Sequence, residues 1–235
     1  MFPIYGIDAY YLILLLPCVI LASVASIRVN TTFKKYSKQM SRRNITGAEA
    51  AQRVLSANGV SNVRIEKVAG NLTDHYDPKT NVIRLSDSVY GSTSTAAIGV
   101  ACHEAGHAVQ YAKNYSPIKL RAALVPVVNI GSGLAMPLIL LGLLMASLGN
   151  AYSIFIEIGI LCFSLSLLFQ LVTLPVEFNA SRRALSTIDQ TDMLTDEEQK
   201  GARRTLTAAA MTYVAAVLVS AAQLLRLVLL TRRDD

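Results

Sequence analysis

Ser92 to Lys113 reads STSTAAIGVACHEAGHAVQYAK, and the rest of the chain is best understood outward from it. Alanine runs through the stretch, serines and threonines stand at its front where they can cap, and it contains no proline, so it predicts a helix. On that helix His103 and His107 lie four residues apart, hence on one face, with Glu104 beside them. This H-E-x-x-H spacing lets two imidazoles hold one zinc ion while the glutamate acts as a general base for hydrolysis. Val100, Ala101, Ala105, Gly106 and Ala108 are small enough to let other elements approach the pair. The bland alternative, two ordinary histidines beside an incidental glutamate, asks for a coincidence: the chain has 3 histidines in all, and two fall at ligand spacing.

Catalytic zinc takes three protein ligands and a water, so a third donor must come from elsewhere in the chain. Candidates are His75, Glu177, Asp189 and the cysteines Cys18, Cys102 and Cys162. Glu177 is the choice. It follows Pro175 in LPVEFNASRRAL, residues 174–185, where the proline introduces a helical pattern and puts the glutamate in its first turn. The competing reading is a carboxylate that complements a helix N-terminus, worth about 1 kcal/mol or less.

Taken together, HEAGHAVQ, EFNASRRAL and the upstream run LTDHYDPKTNVIRLSDSVYGSTSTAAIGVA resemble the YugP-type membrane zinc metallopeptidases of bacteria, over nearly the whole chain. More distantly the chain is similar to gluzincins such as the HtpX heat-shock protease and the CAAX prenyl proteases, whose third ligand is a glutamate on a later helix. The resemblance implies that His103, His107 and Glu177 are zinc ligands and that Glu104 is the general base. The distant relatives carry an aspartate four residues after the ligand glutamate. This chain has Ser181 there, which leaves open what orients a ligand histidine.

Composition points independently to a membrane. The chain is 52% hydrophobic, and a hydrocarbon core of about 30 Å takes roughly 20 apolar residues to cross. Four segments qualify: Tyr10–Ile27, Ala122–Leu148, Ala151–Val176 and Ala208–Leu230. Gly149-Asn150 joins the second and third as a helical hairpin, and Pro126 and Pro137 can kink the second without ending it. Between Ile27 and Gly47 lie Arg28, Lys34, Lys35, Lys38, Arg42 and Arg43 with no acid, the imbalance that keeps a loop cytoplasmic. Two crossings separate HEAGH from Glu177, so both return to the same face. Arg232 and Arg233 fit this scheme less well, because a fourth full crossing puts them outside.

The expected organisation is therefore a membrane anchor (1–27), a cytoplasmic metalloprotease region (28–121), a transmembrane hairpin (122–176), and a third-ligand helix leading into a C-terminal membrane-associated helix (177–235). Asp8 replaces the basic start of a signal peptide, which favours an uncleaved anchor in the plasma membrane. Three cysteines in apolar surroundings argue against a disulfide framework. The net charge of +6 gathers beside the membrane, where it sets topology and attracts anionic lipid. No interleaving of aromatic and basic residues suggests a nucleic-acid partner.

The region between the first two spans should hold a small folded unit. Thr46-Gly47-Ala48-Glu49 is a capping box for a helix that Asn58-Gly59 ends. Val63–Ala69 and Val82–Leu85 alternate in β fashion around GNLTDHYDPKTN and predict a short hairpin. By the gluzincin resemblance, an edge strand there borders the cleft and pairs with an extended peptide. His75 then stands near the rim as a donor to the scissile carbonyl, against the reading that it merely builds the turn. Thr195 to Glu198 is a second capping box. Tyr213, on the helix it starts, is a second donor candidate, with interfacial anchoring as the ordinary alternative.

The resulting expectation is a mainly α, integral-membrane helical bundle with a small β hairpin beside the metal helix, acting as a Zn2+-dependent endopeptidase. Its substrates would be protein or peptide segments, cytoplasmic or juxtamembrane. A catalytically silent zinc-binding scaffold or adaptor of the same fold is the first rival. A transporter is disfavoured because the spans hold almost no ionisable groups.

Overall fold

The computed structural model describes residues 8–145 and 152–231, and among these it is mainly helical with one small sheet. The described residues form two compact units, one of residues 8–24, 120–145, 152–174 and 213–231, the other of Ala25–Lys119 and Pro175–Thr212.

The first unit is built from long apolar helices. A π-helical turn, Tyr11–Leu15, leads into α1, Leu16–Tyr36. Later come α5, Ser116–Met145, α6, Tyr152–Gln190, and α7, Asp196–Thr231. These four are long and apolar enough to cross a membrane, and the four expected spans fall on them. Their outward faces carry large bare hydrophobes, among them Ile20, Ile130, Leu144 and Leu161. Such continuous apolar surface has no place in water and suits lipid. Pro126 and Pro137 sit inside α5. The expected Gly149-Asn150 turn and Arg232-Arg233 lie outside the described residues.

Asp8 and Arg226 form an ion pair in this unit. Asp8 Oδ2 accepts from Arg226 Nε at 2.9 Å and from its Nη2, while Asp8 Oδ1 takes the Tyr11 N–H at 2.7 Å. Arg226 is 3% exposed and also lies over the Tyr11 ring.

The second unit forms around α4, Thr95–Ala112, capped by Ser94, whose hydroxyl accepts the Ala97 N–H. Nearly every α4 residue is buried against α2 (Gly47–Ala57), the sheet, and the parts of α6 and α7 that belong to this unit. Thr46 and Glu49 make both hydrogen bonds of the expected capping box, and Gly59 ends α2 with a positive φ of 72°. At Thr195 the backbone N–H donates to Glu198 Oε2 at 2.9 Å.

The sheet has three strands, β1 (Arg64–Val68), β2 (His75–Asp77) and β3 (Val82–Ser86), in the order β1-β3-β2, followed by a short α3, Asp87–Tyr90. The hairpin is present, with β2 as its first arm, antiparallel to β3. The segment expected in that place, β1, pairs parallel to β3 instead. Alternation reports which face a strand buries, not its partner or direction, and three residues are too few for β2 to show a period.

Pro175 also behaves differently from the sequence expectation. It lies inside α6, which runs unbroken from Tyr152 to Gln190, so Glu177 is not in a first turn. The helix-N-terminus explanation for this carboxylate loses its basis.

Candidate metal centre

The α4 face carrying His103 and His107 meets α6 where neither helix has bulk. A Cβ built on Gly106 would come 2.7 Å from the Ala180 carbonyl oxygen. Glycine is required there because the two backbones touch. Ala180 is three residues past Glu177, so this contact delivers the glutamate to the histidine pair.

The result is convergent. Glu177 Oε2 lies 3.2 Å from His103 Nε2 and 3.5 Å from His107 Nε2, and all three residues place a ligand atom within 4.8 Å of the others. The rings stand edge to face with centroids 4.7 Å apart. Glu177 is 2% exposed and His107 9%. Burial opposes protonation of His107, but the hydrogen bond and charge of Glu177 more than offset it, so this imidazole titrates above its ordinary value.

Each histidine is oriented through its other nitrogen. Gln110 Nε2 donates to the Val176 carbonyl at 2.8 Å and to Asn179 Oδ1 at 3.0 Å, which turns Oε1 toward His107 Nδ1 at 3.0 Å. Nδ1 donates to Gln110, so Nε2 is the nitrogen that faces Glu177: protonated it pairs with the carboxylate, and in the neutral ring it offers a lone pair to a metal. Ser181 Oγ lies 3.1 Å from His103 Nδ1, so serine occupies the orienting position left open above. Gln110 went unassigned in the sequence, where only its spacing was legible: three residues after His107, it shares the histidine's face.

Glu104 has its own anchor. Its Oε2 accepts the Tyr76 N–H of β2 at 3.0 Å. The end of the turn before β2 is held by Asp74, which takes the Ser86 N–H and hydroxyl. Burial pushes the Asp74 carboxyl up, Ser86 draws it down, and the Glu104 charge adds to the rise. His75 is exposed, its Nδ1 2.9 Å from the Thr73 carbonyl oxygen. Tyr213 belongs to the other unit. Cys102 is buried, which pushes its thiol far above the range in which a thiolate forms.

The donor set fits zinc. Bonds of about 2.0–2.2 Å in a tetrahedral shell put neighbouring ligand atoms roughly 3.3 Å apart, close to the two distances observed here. Two imidazoles, a buried carboxylate, a glutamate between the histidines, and four helices of membrane length together define a membrane zinc metallopeptidase. The chain belongs to the family described as "Putative neutral zinc metallopeptidase", whose model matches residues 11–232. It is 47% identical over 213 residues to the "Putative membrane protease YugP" of Bacillus subtilis (strain 168), covering 90% of this chain and 92% of that relative. No solved structure matches it.

Proposed function

We propose that this chain is a zinc-dependent endopeptidase of the plasma membrane that hydrolyses peptide bonds in cytoplasmic or juxtamembrane segments of membrane-associated proteins. The observation that carries the reading is the convergence of His103 Nε2, His107 Nε2 and Glu177 Oε2, with the histidines oriented from behind by Ser181 and Gln110. These three residues would hold the ion. Zinc, when bound there, supplies Lewis acidity that acidifies a water and polarises a carbonyl.

The chain's own groups do the rest. Glu104 takes a proton from the attacking water and returns it to the leaving nitrogen. In the free chain its carboxylate rests on the Tyr76 N–H. Because β2 is an edge strand, that N–H faces away from β3, where an extended peptide can add as a further strand and recognition rests on main-chain hydrogen bonds. His75, on the same strand, is the proposed donor to the developing oxyanion. The basic run Arg28 to Arg43 supports a cytoplasmic site.

The test compares two substitutions in purified, zinc-supplied protein. Glu104→Gln should retain zinc and lose hydrolysis of a peptide library by at least about 10²-fold, whereas Glu177→Gln should lose both. Hydrolysis surviving Glu104→Gln sinks the mechanism. A zinc-loaded wild type that cleaves nothing makes the chain the silent scaffold. A cysteine placed at Lys79 should resist an impermeant thiol reagent in intact cells, and its labelling would put the site outside.

A further inference from the structure

A second concavity lies in the same unit as the metal centre, between α6 and α7. Its volume is about 520 Å³, within the roughly 300–1,000 Å³ typical of ligand sites. Phe178, Leu206 and Ala210 make an apolar floor, while Arg182 and Arg203 stand in the wall.

The two arginine doublets divide their labour. Arg183 spends its Nε on Asn179 Oδ1 at 2.8 Å, and Arg204 donates to the Tyr36 hydroxyl at 2.9 Å. Their neighbours Arg182 and Arg203 are exposed, and among the described residues neither has an ion-pair partner. The acid in the wall, Asp189, accepts from Gln199 at 3.3 Å. It lies about three helical turns along α6 from Phe178. Two guanidiniums over an apolar floor thus outnumber one carboxylate.

We infer that this groove binds an anionic phospholipid, with the phosphate between Arg182 and Arg203 and the start of an acyl chain along Phe178, Leu206 and Ala210. Charge complementarity selects the headgroup, since paired guanidiniums bind phosphate oxygens well. The floor selects a lipid over free phosphate. Phe178, 42% exposed, lies on α6, and Leu206 and Ala210 lie on α7, both helices long and apolar enough to cross a membrane. Basic pockets between such helices are where acidic headgroups lodge. Ser181, which holds His103, also lines this groove, so the lipid would sit one side chain from the metal centre.

The chain contains 0 tryptophans, so Phe178→Trp supplies a single fluorescent reporter whose reading needs neither zinc nor hydrolysis. The full-length variant is reconstituted in phosphatidylcholine vesicles carrying equal mole fractions of brominated phosphatidylglycerol or brominated phosphatidylcholine. The brominated phosphatidylglycerol should quench more strongly. Adding Arg182→Gln or Arg203→Gln should weaken that preference about fivefold each, without loss of fold, because neither side chain makes a hydrogen bond among the described residues. Equal quenching by both lipids overturns the inference, as does a preference that survives both arginine substitutions. Relief of quenching by an acidic peptide would hand the groove to a protein segment and overturn it as well.

Discussion

In the membrane unit a half-buried carboxylate, Asp8, meets a guanidinium that is charged at every working pH, with the Tyr11 N–H and ring beside them. In the other unit a fully buried carboxylate, Glu177, meets two imidazoles, one of which has its Nδ1 committed as a donor and, when neutral, offers its Nε2 lone pair. Arg226 brings a fixed charge to its cluster. The Glu177 cluster instead gathers ring nitrogens and a carboxylate oxygen that a metal ion can draw on. A buried acid therefore marks a place for a metal when its neighbours are groups that can also donate electron pairs.

The largest effect that would sharpen this contrast comes from the ion pair. Arg226→Met leaves the half-buried Asp8 without its cation and should cost about 3 kcal/mol, seen as a lower midpoint of thermal unfolding in detergent. Adding Asp8→Asn should recover most of it, with zinc stoichiometry unchanged throughout. Loss of zinc from a folded Arg226→Met chain would break the distinction.

A middle-sized effect belongs to the Glu177 cluster. Gln110→Ala frees His107 to turn and should weaken zinc binding by about 10- to 100-fold, measured by competition with a chelator. Ordinary affinity in that variant would mean the orienting bond is incidental.

The smallest effect involves neither cluster. The Thr80 hydroxyl, then the Lys79 N–H and Arg84, hold Asp77 down to about 2 from an ordinary 3.8. A depressed acid stabilises the fold above its ordinary value and loses that contribution as pH falls toward its folded one. Exchange of the Lys79 amide in the metal-free chain should therefore accelerate between about pH 4 and pH 2, and Asp77→Asn should abolish that pH dependence.

The same contrast explains what could be read from the sequence. His103, Glu104 and His107 were legible because helical spacing alone sets them on one face. Four spans were legible because the bilayer imposes a length. Glu177 was found, but with the wrong local reason: Pro175 looks like a helix start, and only packing shows that α6 passes through it. The partnership of Gln110 with Val176 and Asn179 joins residues more than sixty positions apart, and no local period carries such information. The pairing of β1 with β3 was hidden for the same reason, since alternation is silent about partners.

The contact between Gly106 and Ala180 has a consequence for which ions the site admits. Where Gly106 meets Ala180 the two helices touch backbone against backbone, with no side chain at that crossing to take up slack. The cage is thus a gauge with a narrow tolerance. Calcium, which wants six to eight oxygens at about 2.3–2.6 Å, would have to pry the helices apart as well as accept nitrogen. Small ions content with four ligands pass that gauge unaided, so discrimination against larger cations is built into the spacing of two helices and needs no further side chain.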